Sequence, residues 1–469
     1  MKSIYSDYGV SIKLRLYSMQ KHQILVVFLC FFSAFFLTTT IGIFGPEMLT
    51  TIASNLTRAE ISKPSAIIFE SPNLGKFHQQ LWLTGQPIIH GRKEEFVKQF
   101  TLSIRHLTTK NQHLEFLNRS RNIHCKNEIC DVFNILHLDY LHNEKYHLKL
   151  KFLSIDDLEN FNIENFLFKF NSYDPSFTKL ELWYRFSFLF ITLIVLILYN
   201  NSLKKYSLRD WSIEQKWIFI LLRSLIFFNN PLLPLIVLVD SWIPHLLDAI
   251  FQSTFLALLM VFWLSIFHGF RHNDRNFTTF YIPKFVIVFS IWLISLFLLL
   301  WQQFRSLNDP SYNLSIDENY YFVFRILLFF FLVVYLLFLL YLMVRAVAEL
   351  KKMPYFGIRI KFASIMMLIV IFSLLIIALM RLKSDSFKQS LFENFTKNYR
   401  NTTEFCALFS IINIYMYTLA YVYSPAKNAS IDSDYADNPT FAMLNDTDEE
   451  DVNGAFKQNS SILKRIKIY

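Results

Sequence analysis

Apolar residues are not spread evenly along this chain; they gather in blocks of about 20, enough to cross a hydrocarbon core ~30 Å thick at the ~1.5 Å rise of a helix. Eight such blocks predict eight spans, at 24–44, 182–199, 217–239, 246–267, 281–301, 322–344, 360–380 and 405–423. The long insert between the first two, residues 45–181, has a different texture. Its runs "HQQLWLTG", "FVKQFTLSI", "CDVFNILHL", "YHLKLKFLSI" and "ENFLFKF" mix apolar and polar positions roughly in alternation, which predicts half-buried strands and a small β-sandwich. At about 135 residues the insert can bury its own core. The expected architecture is a membrane protein with an N-terminal transmembrane anchor, an outside β-sandwich and a seven-helix transmembrane bundle, eight transmembrane helices in total. Residues 1–23 form the N-terminus, 182–423 the bundle and 424–469 a polar, disordered tail.

One block breaks its own pattern. "LLRSLIFFNNPLLPLIVLV", residues 221–239, carries an arginine, two adjacent asparagines and two prolines. Arg223 lies six residues inside Trp217, about 9 Å deep at helical rise, so its stem can snorkel to the interface. Asn229 and Asn230 lie ~18 Å from Trp217, too deep for short side chains to reach headgroups. Unpaired in lipid, each amide would cost several kcal/mol. Pro231 removes a backbone donor and, with Pro234, predicts a kink. Two readings follow: the span lines an internal pocket, or the two amides bridge neighbouring helices as structural hydrogen bonds. Asp240 and Asp248, near the ends of spans three and four, are placed to frame a mouth. Asp248 and Gln252 share a helix face at i, i+4.

Charge sets the expected orientation. Lysine and arginine cluster before span one and after spans two, four and six, whereas "DSWIPH" has none and 302–321 only Arg305. Both termini are therefore expected in the cytosol. The linker 381–404 dissents, with five basic residues on the side assigned outside, although sequons at Asn394 and Asn401 favour that side. Trp183, Trp217, Trp242 and Trp301 sit near span ends, where aromatic rings anchor at interfaces. The first block is longer than a signal-peptide core and "TTTIGIFGPEM" shows no small-residue cleavage site, which favours an uncleaved anchor over a removed leader. The chain has 469 residues, 53% hydrophobic, with 51 phenylalanines and a formal net charge of +9. In such a chain the basic excess belongs to cytosolic loops beside anionic lipid, so membrane lipids are expected partners and nucleic acid is not.

Cys125 and Cys130 form C-x4-C in the insert. A disulfide closing a small loop is expected; zinc with His124 is the rival, but two cysteines and one histidine do not complete a tetrahedron. Cys30 and Cys406 read as small apolar residues of spans. Eight of the twelve histidines fall in the insert, His137, His142 and His147 among them, either as solvated positions or as a sensor that charges in an acidic compartment. Asn55 and Asn118 begin glycosylation sequons there. In the tail, Asn438-Pro439-Thr440-Phe441 has the form of an NPxF-type turn of the kind cytosolic adaptors read, and an acidic run follows.

Catalytic motifs are missing: no HExxH, GxSxG, Walker-A loop or CxxC occurs, and no two carboxylates lie together within a span. No catalytic residue, cofactor or metal is expected. A non-enzymatic binding protein leads. A G-protein-coupled receptor ranks below it, lacking a DRY-like triplet and a terminal NPxxY. A channel or transporter ranks third, for want of paired intramembrane charge and of an inverted repeat of broken helices.

Several stretches together carry a family resemblance: "RLYSMQKHQ" before span one, "SLRDWSIEQKW", "LLDAIFQS" opening span four, "FYIPKF" opening span five, and "YSPAKNA" with "DNPTFAMLND" after span eight. The chain resembles the transmembrane protein 181 family over nearly its whole length, a family related to Wntless and to proteins with a lumenal GOLD-type β-sandwich ahead of a seven-helix bundle. The resemblance implies a GOLD-like insert and residence in plasma, Golgi or endosomal membranes. It implies cargo or ligand binding in secretory or endocytic trafficking, with a lipid-modified ligand held between helices in Wntless-like bundles. It also implies toxin binding, in the action of a bacterial cytolethal distending toxin, and a sorting or adaptor role for "DNPTFAMLND".

Overall fold

The computed structural model describes residues 14–57, 67–89, 96–108, 117–126, 129–130, 132–138, 141, 143–152, 163–208, 210–239, 241–269, 280–308, 319–350, 354–384, 399 and 401–426. Asp240, Asn394 and Asn438 to Phe441 lie outside these residues.

Among them, seven helices are long and apolar enough to cross a membrane. After a single turn, α1 (Arg15–Ser18), the first is α2 (Lys21–Ile43). It is followed, beyond the β domain, by α3 (Pro175–Leu203). The predicted third span is instead a broken element: α4 (Ile213–Phe228), a turn, and the short α5 (Pro234–Leu238). The remaining crossings are α6 (Ile243–Gly269), α7 (Ile282–Asn308), α8 (Asn319–Leu350), α9 (Pro354–Ser384) and α10 (Thr402–Val422).

The ends of these helices follow from local chemistry. Asp174 accepts from Ser176 N at 2.6 Å and Pro175 occupies the first turn of α3, where its missing N–H costs nothing. Ser212 and Gln215 cap α4 reciprocally, so this helix begins four residues before Trp217. Trp217 is accordingly buried against Tyr281 rather than anchored at an interface. Trp183 and Trp242 are exposed, as anchoring requires.

The β domain holds nine strands: β1 (Leu49–Thr57), β2 (Ile67–Glu70), β3 (Leu81–Ile89), β4 (Phe96–Thr108), β5 (Leu117–Lys126), β6 (Ile129–Cys130), β7 (Phe133–Leu138), β8 (Tyr146–Phe152) and β9 (Ile163–Tyr173). They pair antiparallel in the order β1-β9-β3-β6-β5-β4-β8-β2, with β7 also on β3. Period-two burial puts Phe166, Phe168 and Phe170 of β9 on one face and Tyr146, Leu148 and Leu150 of β8 on another. Phe69 of β2 lies 4.7 Å, ring to ring, from Phe168, although their strands stand near opposite ends of the pairing order. The sheet therefore folds over onto itself into two layers around one apolar core. Cys125 and Cys130 face each other across β5 and β6 and are joined by a disulfide.

The two ends of the described chain meet on one face of the bundle: Leu14 bridges Pro425 and Arg15 N donates to Ser424 O at 2.9 Å. The β domain leaves and re-enters at the opposite face, where Asp174 N donates to Met48 O at 2.9 Å. Helix α10 runs through the middle of the bundle, with 78% of its most apolar stretch buried against 6% for α2. Even so, α2 is seated closely: a Cβ on Gly42 would stand 2.7 Å from Thr403 Cα, and Thr403 Oγ1 donates to Gly42 O at 3.1 Å.

Candidate functional site

Two polar networks cross the bundle, and the broken span supplies one asparagine to each. At the C-terminus of α4, Asn229 Nδ2 donates to Thr192 Oγ1 of α3 at 3.0 Å and to Asn413 Oδ1 of α10 at 2.9 Å. Asn413 Nδ2 returns a bond to Asn229 Oδ1 at 3.1 Å and donates to Phe409 O at 2.9 Å. Tyr417 OH lies 2.7 Å from Thr192 Oγ1 and 3.2 Å from Asn413 Oδ1. Both protons of both amides are spent within the protein, and Asn229 and Asn413 are fully buried. For Asn229 the pocket expectation thus gives way to the rival reading, hydrogen bonding between helices.

Asn230 belongs to the second network, which reaches the β domain. Its backbone adopts φ 51°, a left-handed conformation that asparagine tolerates better than most residues, and its Oδ1 accepts from Leu232 N at 3.0 Å. This local turn, ahead of Pro231 and Pro234, ends α4. The amide's Nδ2 then donates to Asp248 Oδ1 on α6 at 2.9 Å. Asp248 also accepts from Arg185 Nη1 of α3 at 2.7 Å and, through Oδ2, from Gln252 Nε2 at 2.8 Å. Arg185 pairs with Glu181 one turn earlier, at 2.7 Å, and lies over the Phe409 ring at 4.5 Å. Its Nε is buried with no acceptor among the described residues.

The last link leaves the bundle. Gln79 stands in the turn that follows the 3-10 helix Lys76–His78 of the β domain. Its Nε2 donates to Thr178 Oγ1 at 3.1 Å and reaches Glu181 Oε2 at 3.5 Å, while Thr178 Oγ1 donates to Phe77 O at 2.7 Å. Among the described residues only Gln79 and Asn230 are non-glycine with positive φ. They stand at the two ends of one chain of contacts: Gln79, Glu181, Arg185, Asp248, Asn230.

Around this cluster helix α6 is only half-buried. From His245 to Thr254 every residue of α6 is half-buried, on all faces of the helix, whereas Val261 to Phe267 are buried all round. The half-exposed turns carry Leu246, Ile250 and Phe251 beside Asp248 and Gln252.

The other predicted positions separate from this site. Arg223 is exposed and lies over Phe219 at 4.1 Å, on the outside of α4. Pro231 sits half-buried in the helix break. Asn55 is exposed on β1, Asn118 lies on β5 and Asn401 is the exposed residue capping α10. Arg185, Glu181, Thr192, Asn413 and Tyr417 were missed from the sequence. The i, i+4 spacing of Glu181 and Arg185 was visible, as was a lone asparagine inside the apolar run "IINIY"; their partners, far away in sequence, were not.

At the end opposite the β domain, buried Glu214 at the start of α4 pairs with Arg359 of α9, Arg359 Nε donating at 2.7 Å. No group of three or more histidines, cysteines or carboxylates able to hold a metal occurs among the described residues.

Comparison with known proteins follows the same division. Residues 174–427 match the family model of the Wntless-like transmembrane domain, and residues 65–173 match that of the TMEM181 GOLD domain. Human transmembrane protein 181 is 37% identical over 457 residues, which cover 94% of each chain. The β domain, the helices behind it and the span of these matches together show that this chain belongs to the transmembrane protein 181 family of multi-pass membrane proteins, in which a GOLD domain precedes a Wntless-like transmembrane domain.

Proposed function

We propose that this protein is a non-enzymatic, receptor-like carrier that binds an amphipathic, lipid-like ligand or cargo in secretory or endocytic membranes, with both termini in the cytosol and the GOLD domain outside. The observation that carries this reading is the half-burial of α6 from His245 to Thr254, which fits an opening in the bundle there, with apolar Leu246, Ile250 and Phe251 beside Asp248 and Gln252. Such a surface suits a molecule with an apolar tail and a hydrogen-bonding head. The contacts from Gln79 to Asn230 link the opening to the GOLD domain, so a ligand there and a partner outside can sense each other. The toxin role implied by the resemblance fits the outside domain, and the tail segment at Asn438 to Phe441 fits a cytosolic adaptor.

The test is capture of bound molecules by the intact protein purified in native membrane discs, followed by lipid and protein mass spectrometry. Ile250→Trp fills the opening from a half-exposed position and should leave folding intact. The expected result is a species enriched over bulk lipid on the wild-type protein and reduced roughly tenfold on Ile250→Trp, about 1.4 kcal/mol of binding. Bulk lipid alone on both proteins, or equal enrichment on both, refutes the reading.

A further inference from the structure

We propose that Asn55 carries an N-linked glycan whose work is to cover the open edge of the GOLD-domain sheet at β1. The proposal rests on the reading that this domain lies outside the cytosol.

An unpaired strand edge is a template for pairing with another chain, and proteins blunt such edges with charge, proline, bulges or shortness. Several strands here have an open side among the described residues, and most carry a device of this kind. β2 has only four residues and ends at Glu70. β5, open on one side before its pairing with β6, carries Arg119 and Arg121. β7 has six residues and joins β3 through a register shift.

β1 has none of these. Its nine residues, "LTTIASNLT", hold no charge, proline or glycine. It pairs with β9 in unbroken register from Leu49↔Tyr173 to Thr57↔Asn165, and no described strand covers its other side. Ile52 is 51% exposed on it. A long, regular, neutral strand with one side open is an aggregation hazard.

The sequon lies on this strand. Leu56 packs towards the apolar core, so Asn55 and Thr57, one position to either side, project from the opposite face, and both are exposed. Asn401 is a poorer acceptor. It caps the membrane helix α10; Thr402 is buried with its hydroxyl donated to Pro46 O at 2.5 Å, and the sequon hydroxyl of Thr403 is donated to Gly42 O. In the transfer, Asn55 Nδ2 bonds to the anomeric carbon of a lipid-pyrophosphate-linked oligosaccharide. The bond from that carbon to the pyrophosphate oxygen breaks, the lipid pyrophosphate leaves as an anion and the amide gives up one proton. The bulky hydrophilic sugar then projects from the sheet face beside the open edge and crowds the approach of a foreign strand.

The test expresses the full chain in glycosylating cells and compares electrophoretic mobility before and after enzymatic deglycosylation. Wild type should shift, and Asn55→Gln and Thr57→Ala should each lose one oligosaccharide's worth of shift, restored by Thr57→Ser. A shift unchanged in Asn55→Gln overturns the proposal. Protease protection in sealed microsomes separates it from the orientation: a protected GOLD domain without sugar on Asn55 overturns the glycan alone, whereas a digested domain overturns both. For the edge itself, Asn55→Gln should self-associate on size exclusion and Asn55→Gln/Ile52→Lys should return to the wild-type profile. A monodisperse Asn55→Gln, or failure of the added lysine to reverse association, overturns the covering role.

Discussion

Replacing Asn229 and Asn413 by leucine, singly and together, separates structural hydrogen bonds from a ligand site. Either single change leaves a buried amide facing an apolar side chain, with one proton and one lone pair released from their partners. An orphaned buried polar group costs about 1–3 kcal/mol. The double variant orphans neither amide of the pair, and Leu fills much the same space as Asn. Bonds between helices in membranes average ~0.6 kcal/mol, so the two reciprocal bonds predict a coupling of about 1.2 kcal/mol. The double change should therefore cost less than the sum of the singles by roughly that amount. Equilibrium unfolding of the purified protein in bicelles, run as a double-mutant cycle, reads this directly. Costs that add to within ~0.3 kcal/mol would refute direct pairing of the two amides. Ligand capture serves as the control: Asn229→Leu should retain the ligand in whatever fraction stays folded, because Asn229 faces Thr192 and Asn413 rather than the opening around α6.

Three further outcomes follow from the geometry. Arg185→Met leaves Glu181 and Asp248 without their shared cation inside the bundle and should cost about 3–5 kcal/mol, read as lost monodisperse yield; Arg185→Met with Glu181→Gln and Asp248→Asn should recover most of it. Gly42→Ala forces a Cβ to within 2.7 Å of Thr403 Cα and should cost about 1–3 kcal/mol, with the cost confined to the α2–α10 contact as seen by crosslinking. Cys125→Ser with Cys130→Ser opens a very short loop and should weaken the GOLD domain by about 2 kcal/mol, measured by limited proteolysis, with the bundle unaffected.

Much of the architecture was legible because its causes are local. A membrane helix must be apolar over its whole length, and a half-buried strand must alternate, so block lengths located the spans and alternation located β3, β4, β7, β8 and β9. The break after Phe228 was legible from Pro231 and Pro234. The start of α4 was also written locally, in the capping pattern Ser212 to Gln215, but the apolar block drew the boundary to Trp217. What the sequence hid is the pairing of distant residues. Arg185 reads as a charge near a span end until α6 brings Asp248, 63 positions away, to 2.7 Å. Asn229 and Asn230 are adjacent in the chain and alike in chemistry. Only the helix break, by turning the backbone between them, sends one to Asn413 and the other to Asp248.

That break and the turn at Gln79 pose one physical question: why the chain holds two unfavourable backbone conformations at the ends of a single polar chain. Gln79 has φ 53° and ψ −58°, and Gln80 N donates to His78 O at 2.5 Å, which makes a γ-turn of the strained hand. Such a conformation costs about 1–3 kcal/mol and persists only where its surroundings fix it. The fixing contacts are the bonds from Gln79 to Thr178 and Glu181. Gln79→Ala removes them and leaves a Cβ on the strained backbone; Gln79→Gly removes both. If the side chain holds the turn in place, Ala should let the turn relax, with faster proteolysis between the GOLD domain and α3 and a stability close to that of Gly. If instead Ala keeps the turn and falls below Gly by about 1–3 kcal/mol, the turn is set by the loop alone and Glu181 takes no part in holding it. The same result would remove the mechanical link through which the GOLD domain and the helix break act on each other, leaving the opening around α6 to work without the domain above it.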